Sequence, residues 1–345
     1  MIQYNALKQE VESNQQLCQS LLQRAKETDV SEKIEASRIR IIDTAKAPNS
    51  PAYQRRLRDI TLSIFFALFC SLGVAMLLEY LDSTIHNSED IRLYVNLPFL
   101  GYISSTGRDA KADIDKDLLC HKQPGSIIAE TYRVVRTAIL FASPEDEPSK
   151  SILVTSSLPQ EGKTLISLNL AQIFAQAGER VILIDVDMRR PRVHKTFNIE
   201  QKKGLSDFLV GEVDLKDIIK PTSIDNLSVI TSGTIPPNPS ELLHSAKVRT
   251  LLDGLKTRFD RILLDSPPIL SVADTSLLAN MVDGVVLVIK GASTHLDAIA
   301  HSKSKIQEAK GRIIGVVLNN IEAARTDKYY YFHYYAKEAG QAKKT

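Results

Sequence analysis

One stretch in the middle of the chain places an apolar strand, a tight loop and a helix in immediate succession. Residues Ile152 to Thr155 are apolar and β-rich, the next nine residues read SSLPQEGKT, and helical periodicity runs from Leu165 to Gln176. A strand followed at once by a helix is typical of parallel sheets, because the chain must cross over before the next parallel strand begins. The sequence therefore predicts an α/β fold with a doubly wound, mostly parallel sheet.

The loop in this stretch has the composition of a phosphate site. It fits the pattern GxxxxGK[ST] through Gly162, Lys163 and Thr164, except that Ser157 stands where the first glycine is expected. Loop amides and the helix dipole would point at phosphates, while the lysine supplies charge and the threonine hydroxyl a Mg²⁺ ligand. We expect ATP and Mg²⁺ here, on a P-loop NTPase type of sheet. The predicted lining residues are Ser157, Gln160, Glu161, Gly162, Lys163, Thr164 and Leu165.

Two further apolar runs end in carboxylates. Residues 181–184 (VILI) lead into Asp185 and Asp187, and residues 262–264 (ILL) lead into Asp265. Ligands of open parallel sheets bind at the carboxyl ends of the strands, so these side chains should meet the phosphate loop. Carboxylates there can hold Mg²⁺ and accept a proton from an attacking hydroxyl. Each aspartate alone could equally cap a turn or a helix, but the three strand ends together favour an active site.

A run without charge lies closer to the N-terminus. Ile60 to Leu78 comprise 19 uncharged residues, which at about 1.5 Å each cover a hydrocarbon core of roughly 30 Å. A buried core helix is the alternative, but such helices usually keep a polar stripe. We predict a transmembrane helix over residues 60–80.

The charges beside this helix give an ambiguous orientation. Arg55, Arg56 and Arg58 precede it and favour a cytoplasmic N-terminal flank. A downstream domain that uses ATP requires the opposite orientation. We expect the ATP requirement to prevail, with the N-terminal segment outside.

The first residues predict a helix with a coiled-coil seam. Spacings of three and four connect Tyr4, Leu7, Val11, Asn14, Cys18, Leu21 and Ala25. An amphipathic helix on a globular domain would show a similar pattern. Arg38 to Thr44 are expected to form a short strand. Because these sixty residues are few for an outer domain, we expect an earlier span and an N-terminal half to precede them.

Five tyrosines crowd the C-terminus, beside a segment rich in lysine and alanine. They are Tyr329, Tyr330, Tyr331, Tyr334 and Tyr335. Tyrosine normally contributes to cores and interfaces, and this segment has no periodicity that would pack it. Together with a phosphate site, the cluster favours an enzyme that phosphorylates such tails; a sticky terminus is the alternative.

Charge and cysteine content exclude some classes. The net charge of +2 does not favour nucleic acid as a partner. The three cysteines show no CxxC spacing, so they predict neither a disulfide framework nor a zinc site.

Three motifs resemble those of a known family. SSLPQEGKT, ILIDVDMRRP and ILLDSPP are similar to the Walker A, A′ and B motifs of bacterial tyrosine kinases. These kinases are the cytoplasmic half of polysaccharide co-polymerases, which govern capsule or exopolysaccharide export and chain length. The likeness extends through LPFLG (97–101), ETYRVVR (130–136) and PNPSELL (237–243), and covers roughly residues 40 to 335.

The resemblance implies roles for individual residues. Lys163, Asp185, Asp187 and Asp265 would be catalytic, with Asp185 the candidate base and Asp187 its alternative. Thr164, Asp187 and Asp265 would hold Mg²⁺. Arg189 would add charge near the phosphates, and Asn319 would contact adenine.

The resemblance also implies self-association. Glu130, Arg133 and Arg136 match the family's ExxRxxR signature for contacts within a homo-oligomeric ring, where one subunit's tail enters the neighbour's site. Their helical spacing would equally suit a solvated stripe of salt bridges. A cognate tyrosine phosphatase, polysaccharide polymerase and export proteins, and the membrane are further implied partners.

These expectations define a layout. Residues 1–59 would be a periplasmic coiled-coil remnant of a chain-length determinant domain, 60–80 the membrane helix and 81–122 a cytoplasmic juxtamembrane linker. Residues 123–325 would form the P-loop kinase domain and 326–345 the tyrosine-rich tail. The expected location is the bacterial inner membrane, with the kinase domain in the cytoplasm.

Two alternatives to a kinase share this fold. Septum-placement and plasmid-partition ATPases carry a signature lysine five positions before the loop lysine, where this chain has Leu158. A structural chain-length regulator without kinase activity would need no intact site, yet the loop lysine and the aspartates are all present.

Overall fold

The structure is a computed structural model. It describes residues 2–35, 43, 46–47, 56–81, 83–85, 88–104, 116–143 and 149–321. The chain divides into two compact units, Met1–Leu78 and Glu79–Thr345.

Two helices dominate the described part of the first unit, and the second of them continues past its boundary at Leu78. Helix α1 (Ile2–Glu35) confirms the predicted N-terminal helix, and its seam residues Leu7 and Val11 are exposed. Helix α2 (Arg56–Leu81) contains the predicted membrane span. Within it, Leu57–Tyr80 are long and apolar enough to cross a membrane, with a mean hydropathy of 2.3 and no buried share. Such exposure does not fit the alternative of a helix inside a protein core. Pairing through the α1 seam stays a prediction.

The second unit is built on one sheet of eight strands within the described residues. The strands, in chain order, are β1 (Phe99–Ser104), β2 (Ser151–Ser156), β3 (Val181–Asp185), β4 (Lys220–Pro221), β5 (Leu227–Ile230), β6 (Arg261–Asp265), β7 (Gly284–Lys290) and β8 (Ile313–Ile321).

The strand order is β1-β8-β7-β2-β6-β3-β5-β4. All neighbours run parallel except β4 and β5, which are antiparallel. This confirms the predicted mostly parallel sheet. Strands β2, β6 and β3 lie side by side in register, with Val154 opposite Asp265 and Asp265 opposite Asp185. The three strands that precede the predicted site motifs therefore end at the same edge.

Helices surround this sheet. In chain order they are α3 (Ser88–Asp90, continued by a π-helical turn over Ile91–Val95), α4 (Leu119–Lys122), α5 (Ile127–Phe141), α6 (Lys163–Gln176), α7 (Val193–Thr196), α8 (Leu205–Val210), α9 (Leu215–Ile218), α10 (Pro239–His244), α11 (Ala246–Lys256), α12 (Asp274–Ala279) and α13 (Leu296–Glu308).

Both faces of the sheet are covered, which makes the fold doubly wound. Alternating residues of β2 point to opposite sides: Ile152 and Val154 join one core cluster and Leu153 the other. The first cluster packs α4, α5 and α6 on the sheet, and the second packs α8 and α10 to α13. Strands buried on both faces read as continuous apolar runs, which is why β2, β3 and β6 were recognisable in the sequence.

The local sequence explains the start of one helix and the packing of another. The Ser126 hydroxyl accepts a hydrogen bond from the Ala129 amide (3.1 Å) and caps α5. Helix α11 presents Val248, Leu251 and Leu255 to the core at helical spacing. Its polar residues face solvent, so burial of one stripe holds the helix on the sheet.

Part of the predicted linker over 81–122 belongs to the folded unit. Phe99–Ser104 form the edge strand β1, parallel to β8, and Ile85, Ile91 and Val95 are buried. These residues were not predicted to join the sheet. The pairing with β8 joins segments more than two hundred residues apart, which local periodicity cannot reveal.

Some predictions lie outside the described residues. These are the tyrosine tail (329–335), almost all of the short strand predicted over 38–44, and the last residues of the predicted kinase domain (322–325).

Candidate active site

Gly162 fixes the end of the phosphate loop. Its φ is +94°, a left-handed conformation, and a Cβ placed on it would meet Asn319 Nδ2 at 2.1 Å. The Asn319 amide donates a hydrogen bond to the Glu161 carbonyl oxygen (2.8 Å), so the end of β8 holds the loop directly. Glycine is therefore required here both by backbone conformation and by space.

The missing first glycine has a structural explanation. Ser157 is fully buried, and its hydroxyl accepts a hydrogen bond from Ser302 on α13 (2.9 Å). Its φ is not positive, so the position does not require glycine. Gln160 is the residue in the loop that adopts a left-handed conformation without being glycine (φ +65°).

The buried Glu161 side chain stabilises the phosphate loop through hydrogen bonds. Its carboxylate accepts hydrogen bonds from the Leu158 amide (2.8 Å) and from the Thr294 hydroxyl, which follows β7. Burial raises the pKa of the Glu161 carboxyl, and these hydrogen bonds partly oppose the rise. The side chain of this predicted nucleotide-binding residue thus shapes the loop.

Lys163 meets the carboxylates at the strand ends. Its ammonium lies 3.0 Å from Asp187 Oδ2, and both side chains are largely buried. Burial by itself would lower the pKa of Lys163, but the carboxylates of Asp265 and Asp187 together outweigh it, and the pKa rises. The lysine therefore stays charged and available to an anion.

The two carboxylate oxygens of Asp265 differ in their hydrogen bonding. Oδ1 accepts a hydrogen bond from the Ser167 hydroxyl (3.1 Å), whereas Oδ2 is buried with no hydrogen-bond partner among the described residues. Burial raises the pKa of Asp265 against the opposing charge of Lys163. Buried polar atoms seldom lack a hydrogen-bond partner, so we expect a ligand to bind this oxygen.

The donor set fits a magnesium ion. Carboxylate and hydroxyl oxygens are the ligands that Mg²⁺ prefers, and the unpartnered Asp265 Oδ2 is a carboxylate oxygen of this kind. Thr164 and Asp187 are the further residues of the predicted set, and their contact with the ion stays a prediction.

Asp185 is the most enclosed of the three aspartates. Oδ1 accepts a hydrogen bond from the Asp187 amide (3.2 Å), and Oδ2 accepts bonds from the amides of Arg192 and Val193 (3.0 and 3.1 Å). Burial, and next the charge of Asp265, raise the pKa of Asp185 to about 8. The carboxyl thus organises the loop from Asp185 to Arg192, which we call the A′ loop.

Arg189 pairs with residues outside the phosphate loop. Its guanidinium donates to Asp274 Oδ2 (3.1 Å) and to the Ser240 hydroxyl (3.3 Å), and that hydroxyl also bonds to Asp274. Asp274 was not among the predicted site residues, because it lies nine residues after Asp265 and belongs to no motif. A role for Arg189 at the phosphates stays a prediction.

The three residues of the ExxRxxR signature lie on α5. Glu130 and Arg133 form an ion pair within the chain (2.6 Å), and Arg133 also donates to the Pro124 carbonyl oxygen (2.7 Å). Arg136 Nε is buried and has no hydrogen-bond partner in the described part of the chain. Contacts of these residues with a second subunit remain a prediction.

The structure thus brings together the phosphate loop, the A′ loop and Asp265 at one edge of the sheet. Asn319 reaches the same place through the loop backbone, although its contact with adenine stays a prediction. Known proteins match both units. The family model described as "AAA domain" matches residues 150–314, and the one described as "G-rich domain on putative tyrosine kinase" matches residues 3–80.

Curated relatives agree with these matches. The tyrosine-protein kinase YwqD of Bacillus subtilis is 37% identical over 64% of this chain and 92% of its own length. The tyrosine-protein kinase ptk of Acinetobacter johnsonii is 34% identical over 92% of this chain.

The chain belongs to the family of bacterial tyrosine kinases. Among solved structures, the kinase domain of the Escherichia coli tyrosine kinase ETK matches with a TM-score of 0.65 and 28% identity, covering 71% of this chain and 98% of that domain. The chain spans 44% of the length of the Acinetobacter kinase and 47% of tyrosine-protein kinase etk of Escherichia coli.

Proposed function

We propose that this chain is a membrane-anchored, ATP-dependent protein-tyrosine kinase that phosphorylates the C-terminal tyrosines of neighbouring copies. The observation that carries the proposal is the convergence of Lys163, Asp187 and Asp265 beside the phosphate loop, with Asp265 Oδ2 buried and unpartnered. A lysine and paired carboxylates at a loop of this kind are what phosphoryl transfer needs.

Each residue has a place in the proposed reaction. The loop from Ser157 to Leu165 binds the phosphates of ATP through its amides, and the γ-phosphate competes with Asp187 for the Lys163 ammonium. Thr164, Asp187 and Asp265 would hold Mg²⁺, which would neutralise part of the phosphate charge. Transfer then depends chiefly on positioning and charge neutralisation.

Asp185 is the proposed base for the incoming tyrosine hydroxyl. Its pKa of about 8 lies near the pH at which a cell would use it, as an efficient general base requires. The three amides that bind it hold its carboxyl in one orientation. Asp187, which is paired to Lys163, is the alternative base.

The proposed acceptors are the tail tyrosines at positions 329, 330, 331, 334 and 335. Each phosphorylation adds about −1.5 to −2 charges at neutral pH. Several in one tail would repel one another and the carboxylates of the site. We infer that accumulated phosphate loosens a homo-oligomeric ring assembled through α5.

The biological role we propose is regulation of exopolysaccharide or capsule polymerisation and export. Helix α2 would anchor the chain in the bacterial inner membrane, with the N-terminal unit on the periplasmic side and the kinase domain in the cytoplasm. A tyrosine phosphatase and the polymerase and export proteins are the proposed partners.

The test is phosphoamino-acid analysis after incubation with γ-labelled ATP and Mg²⁺. The full chain in detergent is compared with Lys163→Met, which removes the charge at the phosphates while keeping a side chain of similar length. The proposal predicts label on tyrosine in the native chain and at least a hundredfold less in the variant, as is usual when one transition-state charge is lost. ATP hydrolysis without labelled tyrosine would indicate a conformational ATPase instead.

A further inference from the structure

Residues 116–121, which precede α5, are held along one side of α6. The Asn169 amide donates to the Lys116 carbonyl oxygen (3.1 Å), and the Gln172 amide donates to that of Asp117 (2.7 Å). Both side chains are buried, and their oxygens accept hydrogen bonds from the amides of Cys120 and His121. Because α6 begins at the phosphate loop, residues 116–121 are fixed relative to the active site.

The Asp117 side chain points the other way, into the turn that follows the A′ loop. Its carboxylate is 2% exposed and accepts hydrogen bonds from one guanidinium nitrogen of Arg192 (3.0 and 3.1 Å) and from the Thr196 hydroxyl (2.8 Å). Arg192 and Thr196 lie at the two ends of the short helix α7. One carboxylate therefore holds the whole turn.

The same turn binds Asp185 from its other side. The amides of Arg192 and Val193 donate to Asp185 Oδ2 (3.0 and 3.1 Å). The turn over 192–196 thus lies between two buried carboxylates, one contacting its side chains and the other its backbone. A shift of the turn would move both amides relative to Asp185, and the A′ loop with them.

We propose that Asp117 is a positioning residue for phosphoryl transfer: through Arg192 and Thr196 it fixes the amides that orient Asp185. Asp117 lies outside the three Walker motifs, and its carboxylate accepts hydrogen bonds from Arg192 and Thr196, neither of which is expected to touch ATP. The inference rests on the proposed kinase function and adds to it a residue that acts through another. Nucleotide binding depends on the phosphate loop, which Asp117 does not hold through its side chain, so the effect falls on turnover.

The test compares Asp117→Asn with Asp283→Asn in the full chain, solubilised in detergent. Asp283 is a matched control, because its carboxylate also pairs with a cation (Lys256, 2.6 Å) and accepts a hydrogen bond from a backbone amide (Ser151, 2.8 Å). It lies at the amino ends of the strands, away from the carboxyl ends that carry the active site. Misplacement of a catalytic group by about 1 Å costs up to about a hundredfold in rate. We expect Asp117→Asn to lower kcat for tyrosine phosphorylation about tenfold or more, with KM for ATP within about twofold of native.

Two further variants keep the result interpretable if Asp117→Asn folds poorly. Thr196→Val removes one hydrogen bond and should lower kcat about two- to fivefold, with a fall in Tm of only a few degrees, because Arg192 still holds the turn. The double variant Asp117→Asn/Arg192→Gln should lose no more kcat than the worse single variant, since both changes break the same contact.

The outcomes separate the inference from the function it rests on. If the native chain labels tyrosine and Asp117→Asn matches it, or if Asp283→Asn loses as much kcat at the same loss of Tm, the positioning role is overturned. If the native chain hydrolyses ATP without labelling tyrosine, the kinase proposal fails. The same comparison is then made on kcat for hydrolysis, where an unchanged rate in Asp117→Asn would equally overturn the role.

Discussion

Gly162 is the residue at which backbone conformation and packing both limit the phosphate loop. Substitution by alanine would impose the left-handed strain of a φ of +94° and place a Cβ 2.1 Å from Asn319 Nδ2. We predict that Gly162→Ala abolishes binding of a fluorescent ADP analogue and lowers the free energy of unfolding by more than the roughly 1–2 kcal/mol that strain alone costs. Equilibrium fluorescence titration and urea unfolding measure the two effects.

The control is Gly178→Ala. Gly178 has nearly the same φ, +89°, but a Cβ there would meet nothing within 4 Å. It therefore isolates the conformational strain from the contact with Asn319. Equal stability losses in both variants would show that the Asn319 contact does not limit the loop.

The pKa values of the buried aspartates predict a dependence of stability on pH. Asp185 titrates near 8 in the folded chain and near 3.8 when exposed, so between these values the folded chain binds more protons than the unfolded one. The free energy of unfolding must then fall as pH rises through this window, by up to about 1.4 kcal/mol per pH unit for a single group. In EDTA, Tm should fall from pH 6 to pH 8.

The Asp185→Asn variant supplies the comparison. An amide has no proton to lose in this range, so the fall in Tm between pH 6 and pH 8 should be shallower than in the native chain. A variant whose Tm changes with pH as steeply as the native Tm would contradict the assignment.

Among individual residues, the sequence predicted the aspartates at the strand ends better than the residues that hold their surroundings in place. Asp185 and Asp265 were predictable because each directly follows an apolar run that had to be a buried strand. Asp117 and Asp274 were not, because their roles arise from contacts with Arg192 and Arg189, 75 and 85 residues away. Ser157 illustrates the converse: the motif favoured glycine, while its buried partner Ser302 decides that serine fits.

Helix α5 has exposed apolar side chains and, separately, a buried nitrogen that has no partner within the described part of one copy. Arg136 Nε has no hydrogen-bond partner among the described residues, and Val134 and Phe141 on the same helix are exposed. Reversing the charge with Arg136→Glu should lower the oligomeric mass of the detergent-solubilised chain. Because Arg136 Nε is buried, Tm is measured in parallel, and a fall in mass supports the contact only in a variant that still unfolds cooperatively. Light scattering measures the mass.

Arg180→Glu provides the matched reversal. Arg180 is an exposed arginine paired with Asp260 before β3, away from α5. Its substitution should leave the mass unchanged. A native mass for Arg136→Glu would remove α5 from the proposed ring contact.

The sequence did not predict the edge strand β1, and its pairing with β8 can be tested by a substitution at their contact. A Cβ on Gly315 would lie 2.6 Å from the Pro98 carbonyl oxygen and 2.7 Å from Leu100 Cγ, where β1 approaches β8. We predict that Gly315→Ala speeds amide hydrogen exchange over residues 99–104 at least tenfold, which corresponds to about 1.4 kcal/mol of local stability. Gly254→Ala on α11, where a Cβ meets nothing, should leave that exchange unchanged.

Elements differed in how much of them could be read from the sequence. Strands β2, β3 and β6 lie in the middle of the sheet, so each appears in the sequence as an apolar run. Strand β1 pairs on one side only, and β4 has two residues, so neither produces a strong periodic signal. Their places depend on partners distant in the chain, which only the folded sheet specifies.

In the protein as a whole, the proposed function joins a nucleotide site at the sheet edge to acceptor tyrosines on another copy. The order of the central strands brings the three Walker motifs together, and the family likeness gives that site its proposed reaction. The tail lies outside the described residues, so its delivery to a neighbour is a claim about assembly that only a mixture of two chains can test directly.

That measurement mixes a donor and an acceptor. The donor is the native chain truncated before Tyr329, which keeps the site but has no tail; the acceptor is full-length Lys163→Met, which keeps the tail but lacks the loop lysine. With γ-labelled ATP and Mg²⁺, the account predicts label on tyrosines 329–335 of the acceptor only when the donor is present, with Asp265→Asn in the donor as the inactive control. Label on the acceptor without the donor, or an unlabelled tail in the mixture while the full native chain labels itself, would contradict transfer between copies.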